Sequence, residues 1–130
     1  MALMHEIHFT LSEANEKLDV IKQDIEEMMN LKKKLDQKGF DVYSHRYLGG
    51  SGPNGKGPFP EEMEDLVAII KRLTDDGVMI KGIDSGLVDF PHIRSNGEEV
   101  YLCWKYGESD INFWHTIPEG FSGRRNINEL

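Results

Sequence analysis

The sequence contains a single cysteine, Cys103, and few basic residues, and both shortages limit what the chain can be. One cysteine cannot form an intrachain disulfide, which is typical of a protein kept in a reducing, cytoplasmic compartment. The 15 lysines and arginines stand against 23 acidic residues, which gives a formal net charge of −8. Because binding to phosphates needs a basic surface, nucleic acid is not an expected partner.

Long apolar runs are also missing. Nowhere do about 18 apolar residues follow one another, so the sequence predicts no membrane-spanning helix. The first residues carry His5 and His8, lack the cationic and apolar regions of a signal peptide, and are typical of a short strand. A chain of 130 residues is expected to form one domain, residues 1–130.

A long amphipathic helix is predicted over residues 10–39. Thr10 and Glu13 have the spacing of a capping box, in which each side chain bonds a free amide of the first turn. Lys32 interrupts an otherwise apolar stripe, and Gly39 suits the end of the helix. The stripe recurs at steps of three and four residues, as in a coiled coil, and comprises Leu11, Ala14, Leu18, Ile21, Ile25, Met28 and Leu35.

Residues 49–60 are rich in glycine and proline, which predicts a loop. They nearly match the phosphate-binding pattern G-x-x-x-x-G-K-S/T, but Gly57 replaces the hydroxyl residue and no apolar strand precedes the pattern. Nucleotide binding is therefore not predicted, and a loop ordered by an anionic ligand is the weaker alternative. A second helix, predicted over residues 60–76, is too short to cover the first. Either the sheet or a second copy of the chain must cover the rest.

From residue 78 onward the pattern becomes that of strands, predicted over residues 78–84, 87–93, 98–106 and 110–117. Asn96-Gly97 is a strong hairpin signal, since both positions tolerate positive φ, and residues 107–110 close the next hairpin. The predicted fold is α+β. A long N-terminal helix pairs with a second helix, and both pack on a C-terminal antiparallel β-meander of three to four strands, followed by a tail over 118–130.

The register of the last hairpin decides which side chains share a face. A tight hairpin around Glu108-Ser109, or a four-residue loop of the same register, places Leu102 opposite His115 and gives one nearly apolar face, whereas a slip by one residue mixes the two faces. His115 is then expected on the core face and Cys103 on the opposite one, which disfavours a metal site that uses both. The opposite face also carries Tyr101 and Trp114, more apolar surface than solvent favours, and this suggests an interface.

The remaining polar residues give weaker signals. Asp89 lies in the middle of a strand, where a buried carboxylate needs a partner, and Arg124 is the natural one. A structural ion pair is favoured over a pocket for a small polar ligand. No H-E-x-x-H or C-x-x-C pattern occurs. No metal ligand set, catalytic residue or cofactor is therefore predicted.

Several blocks resemble the bacterial family catalogued as domain of unknown function 2203, over nearly the whole chain. They are residues 9–15 (FTLSEAN), 86–91 (GLVDFP), 100–104 (VYLCW), 107–108 (GE), 114–115 (WH) and 120–124 (GFSGR). The resemblance implies a bacterial cytoplasmic protein and no particular activity. If the family has a site, its motif implies that the site comprises Asp89, Trp104, Glu108, His115 and Arg124.

Two functional hypotheses follow. The first is a self-associating interaction or structural module, most simply a homodimer, whose interface comprises Tyr101, Trp114, Leu18 and Ile25. The second is a small-ligand or metal-binding protein, or an enzyme, with a polar site around Asp89, Glu108, His115 and Arg124. The first is favoured, and an enzymatic activity is the less favoured outcome.

Overall fold

The computed structural model describes residues 3–44, 46–47 and 60–130. The loop predicted over residues 49–60, with its near-match to a phosphate-binding loop, lies outside the described residues apart from Pro60. His45 lies outside them as well.

The first helix, α1, spans Leu11–Gln37 and begins with the predicted capping box. The amide of Glu13 donates to Thr10 Oγ1 at 3.1 Å, and the amide of Thr10 donates to Glu13 Oε1 at 2.9 Å. Beyond the helix, Gly39 has a φ of 74°, a conformation that residues with a Cβ rarely adopt. Both ends of the helix therefore lie close to where the sequence predicts them.

A short antiparallel pair, β1 (Phe40–Asp41) and β2 (Arg46–Tyr47), follows α1 and precedes the second helix, α2 (Glu61–Asp75). The first turn of α2 carries three glutamates, which favour the positive end of the helix dipole. Among the described residues, neither helix combines the length and apolar character needed to cross a membrane.

The C-terminal half forms one antiparallel sheet in which each strand pairs with the next in the chain. The strands are β3 (Met79–Gly82), β4 (Leu87–Ile93), β5 (Glu99–Lys105), β6 (Phe113–Thr116) and β7 (Arg125–Asn126). The predicted α+β meander is confirmed. It has five strands rather than three to four, because part of the predicted tail returns along β6 as β7.

The core lies between the two helices and one face of the sheet, here called the inner face. Its side chains, which join the buried residues of both helices in one cluster, are Val88, Phe90, Val100, Leu102, Trp104 and Trp114. The sheet and α2 therefore cover the apolar stripe of α1 within a single chain.

This burial bears on the predicted interface. Leu18 and Ile25 are 1% and 0% exposed, and Tyr101 and Trp114 are 3% and 1% exposed. All four side chains pack inside one chain, so a dimer of the folded domain would have to use other residues. Self-association itself stays a prediction.

Lys32, which interrupts the apolar stripe, is a buried charge that is paired on both sides. Its Nζ donates to Asp36 Oδ2 at 2.8 Å and to Asp84 Oδ1 at 3.0 Å. Burial alone would lower the pKa of Lys32, but the two aspartates outweigh it and raise the pKa. The lysine therefore links α1 to the turn between β3 and β4 rather than marking a gap in the core.

The predicted register of the last hairpin is wrong by one residue. Leu102 lies opposite Trp114, and Tyr101 lies opposite His115. The connection after β5 is longer than a tight turn, and hydrogen bonds to other elements hold it. The indole N–H of Trp104 donates to the carbonyl of Glu108. The amide of Ile111 donates to Asn15 Oδ1 on α1. Pairing resumes only between Cys103 and Phe113.

The slip exchanges the two faces of β6. Trp114 points to the inner face, and His115 joins the opposite face, here called the outer face. Directly paired residues of an antiparallel sheet share a face, so the pairing places Asp89, Pro91, Tyr101, Cys103, Phe113 and His115 together on the outer face. Cys103 and His115, predicted to lie on opposite faces, therefore share one.

Candidate functional site

Three side chains that can ligate a metal meet on the outer face. Asp89 on β4 lies directly opposite Cys103 on β5, and His115 on β6 is the diagonal neighbour of Cys103. One ligand atom from each residue lies within 4.8 Å of the other two. The exposures are 1% for Asp89, 0% for Cys103 and 2% for His115, so the cluster is shielded from solvent although it lies outside the main core.

The two ring nitrogens of His115 have different partners. Nδ1 lies 2.8 Å from the carbonyl of Thr116, and Nε2 lies 3.0 Å from Asp89 Oδ2. A carbonyl only accepts, so Nδ1 carries a hydrogen and donates it. In a neutral ring Nε2 would then be an acceptor that faces a carboxylate oxygen, another acceptor. The pair must therefore hold one additional proton, or a cation in its place.

The pKa of His115 agrees with this arrangement. Burial alone would lower it, but the hydrogen bonds to Asp89 and to the Thr116 carbonyl outweigh burial and raise the pKa. The extra proton therefore stays on the pair to a higher pH than on a free imidazole.

Cys103 is a protonated thiol rather than a nucleophile. Burial and the charge of the neighbouring Asp89 carboxylate raise the pKa of Cys103 to about 12. Since the thiolate is the reactive form, an unmetallated Cys103 has little reactivity at neutral pH.

The second oxygen of Asp89 is the unexplained atom of the cluster. Among the residues that the structure describes, Oδ1 of Asp89 is buried and has no hydrogen-bond partner. A buried carboxylate oxygen without a partner is costly and rare in folded proteins. The neighbouring thiol interacts with the same carboxylate, since a hydrogen bond to Asp89 is among the causes that raise the pKa of Cys103. Together with His115, these two residues form a candidate site for a ligand that supplies positive charge.

A second ion pair borders the cluster. Arg124 Nη2 donates to both carboxylate oxygens of Glu108, at 2.7 and 2.9 Å, and lies 3.4 Å from the carbonyl oxygen of Cys103. The guanidinium also stacks over the ring of Phe113 at 4.1 Å. Its charge acts on the Cys103 thiol in the direction opposite to that of Asp89. Arg124 therefore anchors the C-terminal segment next to the site.

Four of the five predicted site residues form two ion pairs in the structure, and the fifth, Trp104, contacts one of these pairs. Asp89 pairs with His115, and Glu108 pairs with Arg124, so the predicted pairing of Asp89 with Arg124 is replaced by these two. Trp104 points to the inner face and reaches the second pair only through its indole N–H, which lies 3.0 Å from the Glu108 carbonyl.

Cys103 is the residue that sequence reasoning excluded from the site. The signal that could have found it is the alternation of side chains along the same hairpin when the pairing is shifted by one residue. That register places an aspartate, a cysteine and a histidine from three adjacent strands on one face.

Tyr101 and its neighbours cover the cluster. The ring of Tyr101 meets the ring of His115 edge-on at 5.6 Å, and its hydroxyl lies 2.7 Å from His5 Nε2. Lys81 Nζ lies 4.9 Å from the centre of the same ring. On the His115 side, the cluster is therefore covered by one aromatic ring, a lysine side chain and the segment that precedes α1, whereas Arg124 and the ring of Phe113 border it on the Cys103 side.

Comparison with known proteins gives a family and no activity. Residues 8–127 match the family described as "Uncharacterized conserved protein (DUF2203)", in agreement with the resemblance noted in the sequence. No curated protein and no solved structure matches the chain.

Proposed function

This chain belongs to the DUF2203 family of uncharacterised conserved proteins, and we propose that it is a metal-binding protein that holds one zinc-like divalent cation. The ligands are Cys103 Sγ, His115 Nε2 and the carboxylate of Asp89. The observation that carries the proposal is the contact of His115 Nε2 with Asp89 Oδ2 at 3.0 Å, beside a buried thiol, where the two atoms must share a proton or a cation.

The hydrogen bond behind His115 supports this assignment. Histidines that bind metals commonly donate their second ring N–H to a carbonyl or carboxylate, which fixes the ring and its tautomer. His115 does so through Nδ1 to the Thr116 carbonyl at 2.8 Å. A cation between Nε2 and Asp89 would replace the shared proton, and it would also give the unpartnered Oδ1 a compensating charge.

The mixed set of ligands favours zinc over calcium or magnesium. Thiolate and imidazole suit zinc, whereas calcium and magnesium take oxygen ligands. Zinc bonds of about 2.0–2.3 Å place tetrahedral ligand atoms about 3.5 Å apart. Cys103 Sγ, which lies within 4.8 Å of the other two ligand atoms, would have to approach them by roughly an ångström, whereas His115 Nε2 and Asp89 Oδ2, which are 3.0 Å apart, would have to separate slightly. A water or another small donor would take the fourth position.

Three rival functions have less support. A Cys–His nucleophile requires a thiolate, whereas the pKa of Cys103 is raised to about 12. A larger organic ligand would need access that side chains only 0–2% exposed do not offer. The predicted dimer has lost the support of its named residues, since Tyr101, Trp114, Leu18 and Ile25 are buried within one chain.

The direct test is native mass spectrometry of protein purified without an affinity tag or a chelator, followed by titration of the metal-free protein with zinc. We expect one zinc per chain, retained or taken up at micromolar concentration, and an increase in thermal stability because zinc binds only the folded state. A protein that stays metal-free and whose unfolding temperature does not move with zinc would contradict the proposal. The same spectra report the number of subunits.

The zinc affinity is expected to rise with pH. Zinc must displace the proton of the Cys103 thiol, whose pKa is about 12, and also the proton shared by His115 and Asp89 while the raised pKa of His115 keeps it bound. The logarithm of the apparent association constant should therefore increase by about one to two per pH unit near neutrality. Competition with a chromophoric chelator at several pH values measures this slope. A flat profile would mean that the ligands are neither this thiol nor this imidazole.

A further inference from the structure

The segment before α1 crosses the outer face and is attached to the sheet at both ends. We name residues 4–9 the N-terminal strap. At the C-terminal end of the strap, the amide of Phe9 donates to the carbonyl of Pro91 at 2.8 Å. Pro91 lies on β4 beyond the residues that pair with β3. The Phe9 carbonyl lies 2.7 Å from His92 Nδ1. The predicted strand at this position is instead an irregular segment that passes around the end of the β4–β5 hairpin.

Glu99 binds the N-terminal part of the strap. Its Oε1 accepts from the amide of Met4 at 2.8 Å, and its Oε2 lies 3.1 Å from the amide of His5 and 2.7 Å from His8 Nε2. Burial would raise the pKa of Glu99, but these donors outweigh it and lower the pKa, so the carboxylate stays charged. Three donors on one carboxylate make Glu99 the principal attachment of residues 4–8.

Between its two attachments the strap holds Tyr101 in place. His5 Nε2 bonds the Tyr101 hydroxyl at 2.7 Å, and the two rings meet edge-on at 5.4 Å. Tyr101 in turn meets the ring of His115 and is only 3% exposed, although it lies on the face away from the helices. The burial of His115 therefore depends on a short segment in which residues 4–8 contact the sheet mainly through polar groups, whereas Phe9 packs its ring edge-on against Phe90 of the core.

We infer that the N-terminal strap and Tyr101 form a cover that must open before a metal ion or any small reagent reaches Cys103, with Glu99 as the latch. This inference rests on the proposed function, since the role that we assign to the strap is to control the exchange of metal. The route to Cys103 is a physical property that can be measured without metal. Segments held by few polar contacts open locally at much lower free energy than the whole domain.

The test is the rate at which iodoacetamide alkylates Cys103 in the folded, metal-free chain. Cys103 is the only cysteine of the sequence, so the increase in mass reports this site alone. Replacing Glu99→Ala removes the latch and should accelerate labelling about ten-fold or more, since three hydrogen bonds to a charged group are lost. Glu98→Ala is the matched control, because the neighbouring Glu98 is exposed and binds Arg94 rather than the strap.

A second variant preserves the test if Glu99→Ala does not fold. Tyr101→Phe keeps the ring over His115 and deletes only the hydroxyl that bonds His5, and it should accelerate labelling several-fold. Urea unfolding of each variant gives the loss of global stability. Acceleration beyond that loss in the strap variants, without acceleration in Glu98→Ala, supports the cover. Equal rates in all variants, or acceleration that global unfolding fully explains, overturns it.

Zinc exchange separates this inference from the proposed function. If zinc binds, Glu99→Ala should release it to a chelator faster than Glu98→Ala does, with the three ligands unchanged. If the wild-type chain binds no zinc, the proposed function fails, while the labelling rates still decide whether the strap covers Cys103. If zinc binds and neither labelling nor release responds to the latch, the cover alone is wrong.

Discussion

Replacing Cys103 with serine is expected to weaken zinc binding at least about 100-fold, because partners outside the coordination shell already account for 10–100-fold and a ligand contributes more. Serine retains the size of the side chain but offers a hydroxyl, which does not ionise near neutral pH. The side chain is fully buried and has no role in the main core cluster, so the metal-free fold should persist. Competition titration against a zinc chelator measures the loss, and circular dichroism checks the fold.

Two histidines of the same sheet provide a matched pair of variants. His115 and His92 each place Nδ1 within 2.7–2.8 Å of a backbone carbonyl. Only His115 presents its Nε2 to a carboxylate and a thiol. His115→Gln should therefore reduce zinc affinity as strongly as Cys103→Ser, whereas His92→Gln should leave it within about two-fold. If the two variants weaken binding equally, or if Cys103→Ser binds zinc like the wild type, the three-residue site is refuted.

Local signals in the sequence were sufficient to predict most of the fold. The capping box of Thr10 and Glu13 and the hairpin at Asn96-Gly97 involve residues within a few positions of one another. The capping box occurs as predicted, and the hairpin occurs at the predicted place with a loop closed by Arg94 and Glu98. Hydrophobic periodicity likewise locates both helices and four strands. The family follows from motifs spread along the chain and is confirmed over residues 8–127.

The site could be predicted only in part, because it depends on a register that distant contacts determine. The prediction assumed that a tight turn between β5 and β6 fixes the pairing. The connection is instead held by Asn15 on α1, which accepts from the amide of Ile111, 96 residues away in sequence. This one-residue difference places His115 rather than Trp114 on the outer face, next to Cys103.

The cover was unpredictable for the same reason. Neither the latch at Glu99 nor the bond from His5 to Tyr101 has a local sequence signature, since its partners lie 91–96 residues apart. Asp89 stands out by its position within a strand, and both Asp89 and His115 belong to the motif that the resemblance implies, but neither signal predicts that they form a pair. Their contact became apparent only with the positions of three strands.

The second large effect concerns stability without metal. Replacing Asp89 with alanine is expected to lower the free energy of unfolding by about 3 kcal/mol at about pH 6, because it leaves His115 buried without its counter-charge. The pKa of His115 is raised in the fold, so the pair stabilises fully below the unfolded-state pKa of about 6.5, and this contribution is lost as pH rises through the folded value. The difference between wild type and Asp89→Ala should therefore be smaller at about pH 9 than at about pH 6. Urea unfolding at both pH values, with a chelator present, measures it.

The double replacement Asp89→Leu with His115→Leu decides whether the pair serves the fold or the site. A buried ion pair is often replaced by apolar residues with no loss of stability, whereas removal of one partner is costly. Both side chains are at most 3% exposed, so two leucines would lie in an apolar environment beside Tyr101 and Phe113. The double variant is expected to recover most of the stability lost in Asp89→Ala while binding no zinc. A double variant less stable than the single one would instead mean that the polar pair is needed for the sheet to fold, and the unpartnered oxygen of Asp89 would no longer support a role as a metal ligand.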